Sequence, residues 1–274
     1  MVLKSANHGS HFNHGNKKTK RAHRWSAEDA PWKSSPLSRL LPNGVTLAAL
    51  CMGLTAIRFA FLTQWQAATA SVLIAGFLDG LDGRLARYLR SSSEFGAELD
   101  SLADFINFGA APALIVYFFS LHHLGNIGWG CSLFFAACMA LRLARFNIMR
   151  LHPSDSEPSS LFSVGMPAPA GALVTLSPMV ALFVFESVPT WIFASMILFS
   201  ASMMVSRYPT FLINKIIIPS CYRNYVILGA LAFITSLITA PWETLLFVVI
   251  LYVGTLPLSG VMYRKRSQPS SKKF

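Results

Sequence analysis

The chain has 274 residues, 53% of them hydrophobic and only 13% charged. A typical soluble domain carries about a quarter charged residues, so an ordinary soluble globular protein is excluded. The formal net charge is +11, from 23 Lys and Arg against 12 Asp and Glu, which suggests an integral membrane protein with a basic cytoplasmic side.

Residues 1–40 differ from the rest. They carry His8, His11, His14, Lys17, Lys18, Lys20, Arg21, His23 and Arg24 among scattered Ser and Asn. No apolar signal-peptide core follows directly, so a cleaved export signal is not expected. The expected role is a basic cytoplasmic tail against anionic headgroups. The three-residue spacing of the first histidines leaves a metal-binding tract as the alternative, without Cys or carboxylate beside it. From Trp25 to Leu41, apolar residues alternate with polar ones and could lie in the interface as a short amphipathic helix.

Apolar runs begin after Pro42. A spanning helix needs about 20 apolar residues, which gives about eight segments near 43–63, 66–89, 94–120, 126–149, 166–186, 189–206, 224–240 and 243–263. The connections near 64, 122, 187 and 241 lack Lys and Arg, whereas the alternate ones are basic, ending with Arg264, Lys265 and Arg266. Only Arg58 breaks the alternation. The expected fold is therefore an all-α integral membrane protein of about eight transmembrane helices with both termini cytoplasmic. Residues 41–263 would form the membrane domain and 264–274 a second basic cytoplasmic tail. Cys51, Cys131, Cys138 and Cys221 have no metal-ligand spacing, and no disulfide framework is expected.

Six of the 12 acidic residues fall between positions 79 and 104: Asp79, Asp82, Glu94, Glu98, Asp100 and Asp104. At about 100° per residue, positions 79, 82, 83, 86 and 87 share an arc of roughly 140°, and 96, 100 and 104 form one stripe. A hairpin turning at Ser91–Ser93 would set Asp79 opposite Asp104 and Asp82 opposite Asp100. Carboxylates this close raise each other's pKa unless they are protonated, paired with Arg or bound to cations. Oxygen ligands with small neighbours suit Mg²⁺, Mn²⁺ or Ca²⁺. Two such ions about 3.5–4 Å apart are a known device for phosphoryl transfer. The competing reading is a structural network with Arg84, Arg87 or Arg90. Glu94 and Glu98 are expected at headgroup level.

The pattern Asp79, Asp82, Gly83, Ala86, Arg87, Gly96, Asp100, Asp104 resembles the signature of the CDP-alcohol phosphotransferases at every position. Further stretches resemble the phosphatidylserine synthase branch: Leu41–Thr46, Phe105–Pro112, Ala140–Asn147, Phe162–Ala170 and Ser206–Phe211. The resemblance implies transfer of a phosphatidyl group from CDP-diacylglycerol to L-serine with release of CMP. It implies that Asp79, Asp82, Asp100 and Asp104 hold a divalent cation, Mg²⁺ or Mn²⁺ and as a pair of ions, with Asp104 also the catalytic base. It further implies that Gly83, Ala86, Arg87 and Gly96 cradle the nucleotide. A homodimer in a bacterial inner membrane, with the site facing the cytoplasm, belongs to the same expectation.

For the acceptor, Arg142 and Arg145 could bind the serine carboxylate, and Asn107 or Asn147 could contact serine. Choline, inositol phosphate or glycerol phosphate would keep the same signature and are the rival acceptors. A transporter would spread its charges over several helices around the midplane, often in repeated halves. Here they concentrate on one hairpin near one face, and no repeat is apparent.

Overall fold

The computed structural model describes residues 36–89, 93–151, 162–185, 187–206, 208–211 and 223–267. The histidine tract and most of the first tail lie outside the described residues, as do Arg90, Cys221 and the chain after Ser267. The described chain is helical apart from two three-residue strands. In order come α1 (Pro36–Phe61), α2 (Trp65–Tyr88), α3 (Glu94–Asp104), a π-helical segment (Phe105–Ala110), α4 (Ala111–Phe119), a 3-10 turn (Leu121–Leu124) and α5 (Asn126–Leu151). Then follow β1 (Phe162–Val164), α6 (Ala168–Val184), α7 (Thr190–Val205), β2 (Pro209–Phe211), α8 (Arg223–Thr239) and α9 (Pro241–Ser267). With α3, the π segment and α4 taken as one composite rod, the rods match the expected apolar segments in position. The fold is that of an all-α integral membrane protein. Among the described residues, Leu40–Phe61, Glu94–Phe119 and Asn126–Met149 are long and apolar enough to cross a membrane, and α6 to α9 carry shorter apolar stretches.

Two boundaries differ from the sequence expectation. α1 starts before Pro42 and runs through it. The third rod is not a plain α-helix: the Ala111 amide donates to Ile106, five residues back rather than four. Pro112 explains the change. A proline has no N–H for the carbonyl four residues earlier and its ring crowds that carbonyl, so the preceding turn widens.

Small residues set the packing. Ala49, Ala56 and Ala60 of α1 are almost fully buried. They lie on one stripe with Gly53, and α1 packs most extensively on α2, where Ala68, Val72 and Ala75 are buried. Short side chains let the backbones approach closely, the usual means of helix association in lipid. A Cβ on Gly53 would collide with the Asn107 side chain of the π segment, and one on Gly109 would stand 2.9 Å from Met139 Cγ. α4 forms the centre, with Ala111, Ala113, Ile115 and Val116 buried under α5 and α6.

Two of the singled-out sequence stretches meet in space. β1 pairs antiparallel with β2, Phe162 opposite Phe211 and Val164 opposite Pro209. Gly165 turns the chain with φ 79°, its amide donating to Tyr208 O at 2.9 Å. A Cβ there would stand 2.8 Å from Ser206 O, so the position requires glycine on two counts. Pro167 then serves as the extended N-cap of α6. α6 is thus entered through a glycine turn followed by an extended approach.

Candidate active site

α2 and α3 follow one another in sequence, and both pack on α1. Ser93 starts α3: its backbone is extended and its hydroxyl accepts from the Gly96 amide at 3.0 Å. This cap fixes where the first turn begins and therefore which face Gly96, Asp100 and Asp104 share.

One carboxylate oxygen each from Asp79, Asp82 and Asp100 lies within 4.8 Å of the others. Asp104 completes the group, its carboxyl within hydrogen-bonding reach of Asp79. Its Oδ1 is buried and has no hydrogen-bond partner. Three convergent oxygens, with a fourth carboxyl behind them, form a hard donor set that fits a divalent cation. Asp82 is 4% exposed, whereas Arg84 and Arg87 on the same helix are exposed. Arg87 directs Nε to the Gly83 carbonyl at 3.0 Å.

A cavity of about 840 Å³ opens beside this cluster. Gly83, Ala86, Arg87 and Gly96 all line it, together with Asp82 and Asp100. A Cβ on Gly83 would meet nothing within 4 Å, so the backbone there faces open space. On Gly96 it would stand 2.9 Å from Asn43 Oδ1 and 3.1 Å from Ser93 Oγ. Glu94 and Glu98 are exposed, and both also line the cavity.

The acceptor candidates are placed differently from one another. Arg142 is half-buried, within electrostatic reach of Asp104. Arg145 donates to the last carbonyls of α7, Val205 at 3.1 Å and Met204 at 3.4 Å, and so caps that helix. Asn107 is fully buried against Gly53, and neither of its amide atoms has a hydrogen-bond partner. Asn147 lines the cavity, and its Nδ2 donates to Ser101 Oγ at 3.0 Å, tying α5 to the carboxylate helix.

Sequence reasoning gave no role to Thr46, which the structure places against Asp82. Its hydroxyl donates to Asp82 Oδ2, and both residues are buried. Thr46 lies 36 positions from its partner, so no local spacing could reveal the pair. Tyr252 also escaped notice: one tyrosine in an apolar run carries no signal.

The chain matches the family model described as CDP-alcohol phosphatidyltransferase over residues 39–206. It belongs to that family. The matched region spans α1 to α7 and so includes every residue of the cluster and the cavity. Among relatives, a Mycobacterium leprae protein named CDP-diacylglycerol–serine O-phosphatidyltransferase is 34% identical over 224 residues, 81% of this chain and 74% of that protein. A Helicobacter pylori protein of the same name is 41% identical over 177 residues, 63% of this chain and 73% of its own length. One from Bacillus subtilis is 39% identical over 140 residues, 50% of this chain and 75% of its own.

Proposed function

We propose that the chain transfers the phosphatidyl group of CDP-diacylglycerol to the hydroxyl of L-serine and releases CMP. The observation that carries the reaction class is the meeting of the Asp79, Asp82 and Asp100 oxygens within 4.8 Å beside a cavity lined by Arg87. The family membership supports the reaction class, and the names of three relatives support serine as the acceptor.

Phosphoryl transfer asks a protein mainly for positioning and charge neutralisation. Divalent cations, Mg²⁺ or Mn²⁺ and as a pair, would be held by Asp79, Asp82, Asp100 and Asp104 and would supply neutralisation of the pyrophosphate. Gly83, Ala86 and Gly96 keep the cavity wall low, so the cytidine diphosphate can lie close to the backbone. Arg87 adds a cation on the same side. Asp104 takes the proton of the acceptor hydroxyl, the freed oxygen bonds to the phosphatidyl phosphorus, and the bond to the CMP oxygen breaks with its electron pair. Arg142 receives the acceptor carboxylate, with Arg145 and Asn107 as the further acceptor contacts. The site faces the cytoplasm of a bacterial inner membrane, with both termini on that side of about eight spans; 1–40 is a basic tail for anionic headgroups and 264–274 a second basic cytoplasmic tail. A homodimer accompanies this reading, on the resemblance alone.

The test is an acceptor panel on purified protein with CDP-diacylglycerol and Mg²⁺ or Mn²⁺. Labelled L-serine should enter lipid with one CMP released per transfer, and chelation should stop both. Incorporation of choline, inositol phosphate or glycerol phosphate in place of serine would overturn the acceptor. Transfer that survives exhaustive chelation would overturn the mechanism.

A further inference from the structure

α9 carries a buried polar group that the reaction described above does not use. The Tyr252 hydroxyl is buried and has no hydrogen-bond partner. Its ring packs against the buried core, so the hydroxyl is held in place. A buried donor without a protein partner is costly unless water or a ligand completes it. Arg142 of α5 lies within electrostatic reach of both Tyr252 and Asp104. Asp104 Oδ1 is likewise buried without a partner. Three separate elements thus place a carboxylate oxygen, a guanidinium and a phenol hydroxyl in one neighbourhood.

Two features indicate which substrate this neighbourhood serves. The match to the family model ends at residue 206, and the described part of α9 begins at Pro241. A group from outside the shared region, set beside one inside it, suits the acceptor rather than the CDP donor. The donors also point to the acceptor. Arg145 lies within electrostatic reach of Arg142 but donates to the last α7 carbonyls, which leaves the Arg142 guanidinium and the Tyr252 hydroxyl to meet a ligand. A guanidinium with a neutral donor beside it can serve the two oxygens of a carboxylate.

Resting on the serine reaction proposed above, we propose that Tyr252 is an acceptor-specificity residue whose hydroxyl, together with Arg142, donates to the carboxylate of the amino-acid acceptor. The acceptor hydroxyl then faces Asp104. The ring fixes the direction of the donor, and α9 becomes part of the acceptor site rather than a further membrane span alone.

Tyr252→Phe removes the hydroxyl and little else. The full-length variant and wild type are compared on L-serine and on serinol, which keeps the amino alcohol and lacks the carboxylate. The KM for L-serine should rise about tenfold or more, as expected for loss of a hydrogen bond to a charged group. The KM for CDP-diacylglycerol should stay unchanged, and the preference for L-serine over serinol should shrink by the same factor. Without serine the unfolding midpoint should not fall, because the hydroxyl has no protein partner to lose. The added stability that L-serine confers should diminish. An unchanged serine KM in an otherwise active variant overturns the Tyr252 assignment alone. A parallel rise in both KM values with a lowered midpoint overturns it too, in favour of a packing role. Wild-type protein that uses another alcohol and not serine overturns the underlying reaction and this assignment with it.

Discussion

Thr46→Val tests whether α1 helps to hold the carboxylate cluster. Valine keeps the branched shape and nearly the volume of threonine, so the packing against α2 should survive. What disappears is the hydroxyl that donates to Asp82 Oδ2. Thr46 and Asp82 are each 4% exposed, so water is poorly placed to replace the lost donor. A hydrogen bond to an ionised group contributes about 1.5–3 kcal/mol, or roughly 10- to 150-fold in an equilibrium constant. That range agrees with the roughly 10- to 100-fold effects of removing a group that orients a metal ligand. The assay is transfer rate against free Mg²⁺ or Mn²⁺ at saturating CDP-diacylglycerol and serine. The half-saturating cation concentration should rise by about one to two orders of magnitude, and the rate at saturating cation should recover much of its wild-type value. Thr46→Ser keeps the hydroxyl and should stay near wild type. An unchanged cation requirement in the valine variant would refute the argument. So would a serine variant as impaired as valine, since the methyl group rather than the hydroxyl would then be what matters.

Asp104→Asn should lower turnover by about 100-fold or more, the usual range for loss of a positioned base. CDP-diacylglycerol binding, measured directly on the same variant, should persist; retained turnover would remove Asp104 from the chemistry. Gly128→Ala probes the opposite end of the composite rod. A Cβ there would collide with the Leu121 carbonyl and stand 2.7 Å from its carbon, so backbone must move. Overpacking of this kind costs about 1–3 kcal/mol, and the unfolding midpoint should fall by several degrees while transfer per folded molecule is kept. A loss of turnover at full stability would show that the two ends are coupled.

The helical rods were legible because membrane spans announce themselves by length and apolar composition. The cluster was legible for a different reason: Asp79, Asp82, Asp100 and Asp104 lie on one short hairpin, and helical spacing alone places them on facing stripes. What escaped depends on tertiary contacts. Thr46 meets Asp82 only after α1 folds onto α2. The pairing of β1 with β2 joins two stretches that resembled known motifs individually but carried no sign of each other. The π segment escaped because its cause, Pro112, follows the distorted turn, and a proline early in a helical segment ordinarily reads as a start. Arg145 adds a tertiary contact of the same kind: its charge near a helix end was legible, but its two bonds to the last carbonyls of α7 were not.

Under the proposed function one hairpin serves lipid and nucleotide together, and the two faces of α3 suit that division. Phe95 and Leu102 are 69% and 65% exposed and lie seven residues apart, on one face of the helix. Gly96 and Asp100 line the cavity on another face. A donor whose acyl chains stay in the bilayer and whose cytidine diphosphate reaches the carboxylates needs this division. Apolar surface must continue along the outside of the same helix that carries charge on the inside. Under the proposed function, the alternation within Glu94–Leu102 serves the substrate as well as the fold. A charged substitution at Leu102 would disturb the outer face without touching the carboxylates. On this reasoning it should impair use of the long-chain donor more than that of a short-chain, water-soluble analogue, and equal impairment of both would separate the outer face from substrate recognition.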